Sequence, residues 1–146
     1  MQAFEWLNDR LGMNYIERWL IHMPFGDVYG GWRAMEEFYM AGRIGAVEVC
    51  NFEPDRLIDL CNHAKVIPAV NQVETHPFTQ QVEASGIMQS LGVQIEAWGP
   101  LAEGRNGLFV NAILSDIGRK YGKNGGTSSV TLAFTTRGCC YTEIHP

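Results

Sequence analysis

The sequence is short of the features that mark several common functional classes. It has 11 basic residues against 16 acidic ones and no basic run, so nothing favours binding to nucleic acid or to an anionic membrane surface. No apolar stretch reaches the length of a membrane span, and the first residues lack the basic-then-apolar layout of a secretion signal. We therefore expect a cytoplasmic protein with no membrane or nucleic-acid partner.

Cysteine and glycine motifs are also missing. The four cysteines show no CxxC spacing, which argues against a zinc or redox motif and favours reduced or buried thiols: Cys50, Cys61, Cys139 and Cys140. No GxGxxG follows any apolar run, which argues against a dinucleotide-binding doubly wound domain. We expect no metal site.

What the sequence does contain is a regular alternation of helical and extended patterns. Apolar residues recur at intervals of four, three and four from Val28 through Trp32 and Met35 to Tyr39, which predicts one helical face. Similar reasoning predicts helices over 2–11 and 79–91. A further helix is predicted to start at Pro54 and to turn Leu57, Ile58 and Cys61 inward. Another is predicted over 106–123, with an apolar face formed by Leu108, Ile113, Leu114 and Ile117. Short β-rich runs at 16–22, 44–49, 69–73 and 93–98 are the predicted strands.

This alternation predicts an α/β fold with a parallel sheet, either doubly wound or a (β/α)8 barrel. A polar or aromatic residue lies at or just beyond each strand end: His22, Asn51, Gln72 and Trp98. One such group per strand end is the habit of barrels. A whole barrel needs about 250 residues, so the chain of 146 has room for a partial (β/α)8 TIM barrel, about the middle four βα units.

Each of these residues has an ordinary structural interpretation beside the functional one. His22 could polarise a carbonyl or simply bond a backbone oxygen, and Asn51 could bind a carboxamide or form an Asx-turn before the next helix. Asn71 and Gln72 need partners inside an apolar strand, which favours a ligand or a polar network. Trp98 could stack on a flat ring or pack in the core. Taken singly, none is decisive.

Together, five segments resemble one family. These are LIHMP, DVYGGWRAMEEFY, VCNFEPDRL, VIPAVNQVETHPF and GVQIEAWGPLAEGRNGLF, of which NQVETHPF and EAWGPLAEGR are the most specific. From about residue 4 to residue 123 the chain resembles the middle of an aldo-keto reductase, close to the 2,5-diketo-gluconate reductase branch. The resemblance implies an NADPH-dependent carbonyl reductase on a (β/α)8 barrel, with small-molecule carbonyl substrates and a catalytic Asp, Tyr, Lys and His.

The resemblance also implies roles for the strand-end residues. His22 matches the catalytic His, Asn51 and Gln72 match the amides that hold the nicotinamide carboxamide, and Trp98 matches the aromatic residue that stacks on the nicotinamide ring. The loop beside the pyrophosphate corresponds to Gly99, Pro100 and Leu101.

Two residues depart from the family pattern. Cys50 stands where the family commonly has Ser in the cofactor site, and Met23 stands in the substrate pocket where many members have Trp. The family's Asp, Tyr and Lys would precede Met1. The resemblance therefore gives this chain half of an NADP(H) site, does not imply that the chain binds the cofactor by itself, and predicts that the chain alone is inactive.

The resemblance stops at Lys123, and we predict that residues 124–146 form a poorly structured, out-of-frame tail beside the barrel part, 1–123. The family would continue with a helix and a strand ending Ile-Pro-Lys-Ser, whose Lys and Ser bind the 2′-phosphate side of NADP. Codons compatible with residues 138–146 read one base later as Val-Val-Val-Ile-Pro-Lys-Ser-Thr. One extra adenine at the Lys123–Asn124 junction would produce the printed tail. A divergent tail is the alternative.

An open half-barrel would leave two sheet edges with unpaired backbone groups. We therefore also expect self-association through these edges. A non-enzymatic half-barrel interaction module, or a self-associating gene remnant, is the competing function.

Overall fold

Helices and strands alternate along the computed structural model, which describes residues 2–128, 131 and 139–140. The α-helices whose bounds are described are α1 Gln2–Leu11, α2 Val28–Met40, α3 Pro54–His63, α4 Val82–Leu91 and α5 Ala112–Lys120, and residues 125–128 are also helical. The five strands are β1 Ile16–Ile21, β2 Ile44–Cys50, β3 Val70–Glu74, β4 Gln94–Trp98 and β5 Cys139–Cys140. Two 3₁₀ turns, Ala102–Gly104 and Leu108–Val110, lie between β4 and α5.

Local chemistry sets several of these boundaries. Asp27 caps α2, because its side chain accepts a hydrogen bond from the Gly30 backbone N–H at 2.8 Å. The predicted helix over 106–123 is instead a turn followed by α5, since Asn106 and Gly107 have φ values of 57° and 62°, which a helix cannot contain. Asn111 then starts α5 by accepting from the Leu114 N–H at 3.1 Å.

The strands form one open parallel sheet in the order β1-β2-β3-β4-β5. Strand order follows chain order without the reversal that defines a doubly wound sheet. Of the two α/β designs, the sequential order matches a barrel wall. The α/β prediction is confirmed, and the four predicted strands lie side by side.

The core fills the space between the sheet and its helices. Its largest fully buried side chains include Trp32, Phe52 and Leu57, and the Trp32 indole N–H donates to the Val66 carbonyl at 3.2 Å. The inner face of α3 differs from the predicted one, because Leu60 is buried where Ile58 is 38% exposed. Both are apolar neighbours of Leu57, so composition did not separate them.

The apolar face predicted for the helix over 106–123 is likewise only partly inward. Leu108 and Leu114 are buried, whereas Ile113 is 70% and Ile117 42% exposed. A second, smaller core cluster forms around Ala102, Leu108 and Leu114.

Most of the predicted out-of-frame tail lies outside the described residues. The tail contains the described strand β5, which pairs in parallel with β4. In this pairing Glu96 lies opposite Cys139 and Ala97 lies opposite Cys140. In the described part of the chain, no helix is both long enough and apolar enough to cross a membrane.

Candidate functional site

The carboxyl ends of the parallel strands meet at one end of the sheet, and this end carries the predicted site residues. His22 follows β1, Asn51 follows β2 and Trp98 ends β4, whereas Gln72 is the middle residue of β3 and not at its end as the sequence predicted. The Trp98 indole N–H donates to Asn51 Oδ1 at 2.9 Å, and Asn51 Nδ2 lies 3.3 Å from the His22 backbone carbonyl oxygen. The fold therefore joins residues from three different strand ends.

Asn51 is the centre of this arrangement. Its backbone N–H donates to the Gln72 carbonyl at 2.9 Å, and its φ of 59° places it in the left-handed region that Asn tolerates better than most residues. Its side-chain nitrogen also lies 3.2 Å from Met23 Sδ and 3.1 Å from Cys50 Sγ. The amide thus points across the strand ends, not into α3 as an Asx-turn would require.

The two amides of β3 have different roles, because successive side chains of a strand point to opposite faces. Asn71 is fully buried and clamps Phe52, accepting from its N–H at 3.3 Å and donating to its carbonyl at 2.8 Å. Gln72 faces the other way, where its Nε2 donates to Glu96 Oε1 at 2.5 Å and its Oε1 accepts from the Cys50 thiol at 3.6 Å. Asn71 is structural, and Gln72 is part of a polar network.

That network continues into an ion cluster that the sequence pattern did not predict. The Arg18 guanidinium of β1 donates to both carboxylate oxygens of Glu48 in β2 at 2.7 Å and to Glu96 of β4 at 2.7 Å. Both glutamates are buried, with residue exposures of 2% and 4%. These two carboxylates raise the pKa of Arg18. Barrel interiors are usually filled by branched apolar residues, so charge at these positions is unusual.

Cys50 lies in the same polar layer as Gln72, its register partner. Burial, together with the nearby Glu96 carboxylate, raises the pKa of the Cys50 thiol to about 11. The thiol therefore stays protonated at neutral pH. The thiol can donate a weak hydrogen bond beside the two amides, where a hydroxyl group would donate a stronger one.

The loop after β4 has an unusual backbone. Gly99, Ala102 and Glu103 have φ values of 63°, 50° and 50°, and the Gly99 carbonyl accepts from the Ala102 N–H at 2.7 Å. A side chain added at Gly99 would meet no atom within 4 Å, so the backbone here faces open space. Pro100 is buried, and Leu101 packs against the second core cluster.

The remaining predicted residues are accessible. His22 is exposed, and Met23 is 37% exposed beside the Asn51 amide. The catalytic role of the His22 imidazole stays a prediction, because the contact between His22 and Asn51 is made by the backbone carbonyl of His22. Among the residues that the structure describes, no three His, Cys, Asp or Glu side chains gather as metal ligands would.

Comparison with known proteins assigns the family. The sequence model of the Aldo/keto reductase family matches residues 1–122. The chain belongs to the aldo/keto reductase family. The oxidoreductase YtbE of Bacillus subtilis is 41% identical over 125 residues, covering 85% of this chain and 44% of the relative. Glyoxal reductase of the same organism is 40% identical over 125 residues, covering 85% of this chain and 45% of that enzyme.

A solved structure confirms the architecture. The aldo-keto reductase MGS-M4, from a Medee basin deep-sea metagenome library, superposes with a TM-score of 0.91 at 29% identity. The match covers 97% of this chain and 53% of MGS-M4. This chain therefore spans about half the length of the aldo/keto reductases it matches, and its open sheet corresponds to part of their barrel.

Proposed function

We propose that this chain forms the nicotinamide-binding half of an NADP(H)-dependent aldo/keto reductase, which reduces aldehydes and keto sugars to alcohols by hydride transfer. The observation that carries the proposal is the convergence of Asn51 and Trp98 beside the strand end of His22, with Trp98 Nε1 2.9 Å from Asn51 Oδ1. Among the cysteines whose side chains are described, Cys50 and Cys61 are free thiols, which suits a reducing compartment, so we propose a cytoplasmic protein.

The residues at the strand ends fit the nicotinamide end of such a cofactor. A primary carboxamide carries one acceptor and one donor group, and Asn51 and Gln72 offer amides from neighbouring strands. Trp98 is half-buried, so part of its ring is open to stack on a flat heterocycle. NADP(H), when bound, would supply the hydride; this chain would hold and orient the ring.

We further propose that the chain alone does not catalyse reduction. His22 can donate a hydrogen bond to a substrate carbonyl, but the resemblance assigns the proton-donating Tyr, with its Asp and Lys, to segments outside this sequence. Without a proton donor, the alkoxide formed by hydride transfer is not neutralised. Small dicarbonyls are the first substrates to test, because the glyoxal reductase of Bacillus subtilis is a relative.

The test measures binding and turnover separately. NADPH binding to the purified chain is followed by fluorescence, and NADPH oxidation with glyoxal or methylglyoxal is followed by absorbance. We expect Trp98→Ala and Asn51→Ala to weaken binding by about tenfold each, the loss that follows from removing one stacking or hydrogen-bonding partner.

Trp6→Ala is the matched control, because Trp6 is 57% exposed on α1, far along the chain from the strand ends. If Trp6→Ala weakens binding as much as Trp98→Ala, the proposed cofactor site is wrong. Dicarbonyl-dependent NADPH oxidation above background would refute the inactivity and leave the reductase assignment standing.

We also propose that residues 124–146 are encoded one base out of frame. Codons compatible with residues 127–137 read one base later as Gln-Val-Val-Leu-Arg-Trp-Leu-Leu-Gln-Arg-Gly. Polar residues recur there at every fourth place, the spacing of a helix face, and a glycine ends it. The valine-rich string over 138–146 follows as a strand would.

Two observations support this reading. The family match ends at residue 122, and β5 occupies the place beside β4 where the shifted frame reads valines. The coding DNA tests it: a run of adenines should span the codons of Lys123 and Asn124. A junction without that run would show that this specific insertion is wrong.

The open sheet supports a second candidate, a self-associating half-barrel. Among the described strands β1 pairs with β2 alone, so one edge of β1 carries unpaired backbone groups. Size-exclusion chromatography with light scattering distinguishes the cases. A discrete folded dimer favours the interaction module, whereas a monomer that binds NADPH contradicts it.

A further inference from the structure

The amide of Gln72 is held in one orientation by the group behind it. Arg18 pairs with Glu96 at 2.7 Å, and an ionised carboxylate can only accept hydrogen bonds. The Gln72 atom that lies 2.5 Å from Glu96 Oε1 must therefore be the nitrogen. The oxygen of the same amide is turned away from Glu96, toward the weak Cys50 thiol 3.6 Å away.

The same argument fixes Asn51. An indole N–H is a donor only, so the Asn51 atom that lies 2.9 Å from Trp98 Nε1 must be the oxygen. Its nitrogen then faces the His22 carbonyl at 3.3 Å and two sulfur atoms, which are weak acceptors. Asn51 consequently presents a donor and Gln72 an acceptor.

We propose that Glu96 is a positioning residue that sets this polarity. By holding the Gln72 nitrogen, Glu96 leaves the Gln72 oxygen to accept from the –NH₂ of a primary carboxamide, while Asn51 donates to the carboxamide oxygen. The site then discriminates between the two ends of the amide. This inference rests on the proposed nicotinamide site, but the orientation of Gln72 can be measured without any ligand.

The chain provides a matched control. Glu48 and Glu96 are both buried, both belong to central strands, and both pair with Arg18 at 2.7 Å. Of the two, Glu96 is the one that accepts a hydrogen bond from Gln72. Glu96→Gln leaves a side chain that can donate or accept a hydrogen bond, so the Gln72 amide is free to turn. Glu48→Gln removes the same charge from the same cluster but leaves the contact between Gln72 and Glu96 intact.

The first measurement is the side-chain amide signal of Gln72 in ¹⁵N–¹H spectra, assigned by its loss in Gln72→Glu. In the wild type we expect a downfield, slowly exchanging N–H proton. Glu96→Gln should move this signal toward those of exposed glutamines, and Glu48→Gln should leave it in place. Equal effects of the two substitutions, or no effect of either, would overturn the proposal whatever the cofactor does.

The second measurement compares NADPH with its 3-acetylpyridine analogue, in which a methyl group replaces the amide nitrogen. We expect wild type and Glu48→Gln to prefer NADPH by about tenfold, the equivalent of one hydrogen bond, and Glu96→Gln to lose most of that preference. An equal loss of affinity for both dinucleotides would indicate a structural role and overturn the positioning role. Binding of neither dinucleotide by the wild type would refute the nicotinamide half-site itself, and the spectra would still decide the role of Glu96.

Discussion

Removing the Arg18 guanidinium should destabilise the fold well beyond the value of a surface ion pair. Arg18→Met keeps most of the apolar stem but leaves Glu48 and Glu96, whose side chains are 3% and 5% exposed, as neighbouring buried carboxylates. Breaking a fully buried pair costs about 3–5 kcal/mol. The Arg18 side chain is 47% exposed, and solvent screening reduces its contribution, so we expect a loss of about 2 kcal/mol.

Urea unfolding measures this loss as a lower midpoint at unchanged slope, a shift of about 1 M for a slope near 2 kcal/mol/M. Arg105→Met is the control, because its 2.6 Å pair with Glu103 is exposed and should contribute about 0–1 kcal/mol. Equal losses in the two variants would refute the assignment of a buried charge cluster.

Two further predictions concern the site. With a pKa of about 11 against the ordinary 9.0, Cys50 should have about 100-fold less thiolate at pH 8 and be alkylated correspondingly slowly, as peptide mass spectrometry can measure. Because the pKa of Cys50 is higher in the folded state than in the unfolded chain, its contribution to stability is present in full below pH 9 and should be lost as the pH rises from 9 to 11. Rapid alkylation of Cys50 at pH 8 would contradict the raised pKa. Asn71→Ala should lower the free energy of unfolding in urea by about 2–4 kcal/mol, because two buried backbone groups of Phe52 lose their partner. Asn62→Ala, at an exposed position, should be close to neutral. Similar values for the two variants would show that the contact between Asn71 and Phe52 contributes little.

The sequence predicted the fold well because the strands are short apolar runs separated by helices with a clear apolar period. The helical face predicted from Val28 to Tyr39 falls within the helix Val28–Met40, whose first residue follows the capping Asp27. The inner faces of helices with apolar residues all round were less predictable. Ile58 and Ile113 are exposed because the backbone phase, which composition does not reveal, turns them outward.

The site was predicted in part. The polar residues at the strand ends could be found because each follows an apolar run, and the structure brings Asn51, Trp98 and the His22 carbonyl together. The ion cluster could not, because Arg18 is 30 residues from Glu48 and 78 from Glu96, and each looks like an isolated charge in its own strand. The catalytic and cofactor roles of the site residues stay predictions.

Few residues can replace Asn51. Its backbone lies at φ 59°, where a side chain with a β-carbon is costly unless it is Asn or Asp, and its amide must both accept from Trp98 and offer a donor. Glycine would keep the backbone and remove the recognition. Glutamine would keep the amide and strain the backbone by about 1–2 kcal/mol. Aspartate would keep the backbone and the acceptor but lose the donor. In a library that randomises this strand end, position 51 should therefore return asparagine under selection for cofactor binding, while selection for folding alone should also admit glycine and aspartate.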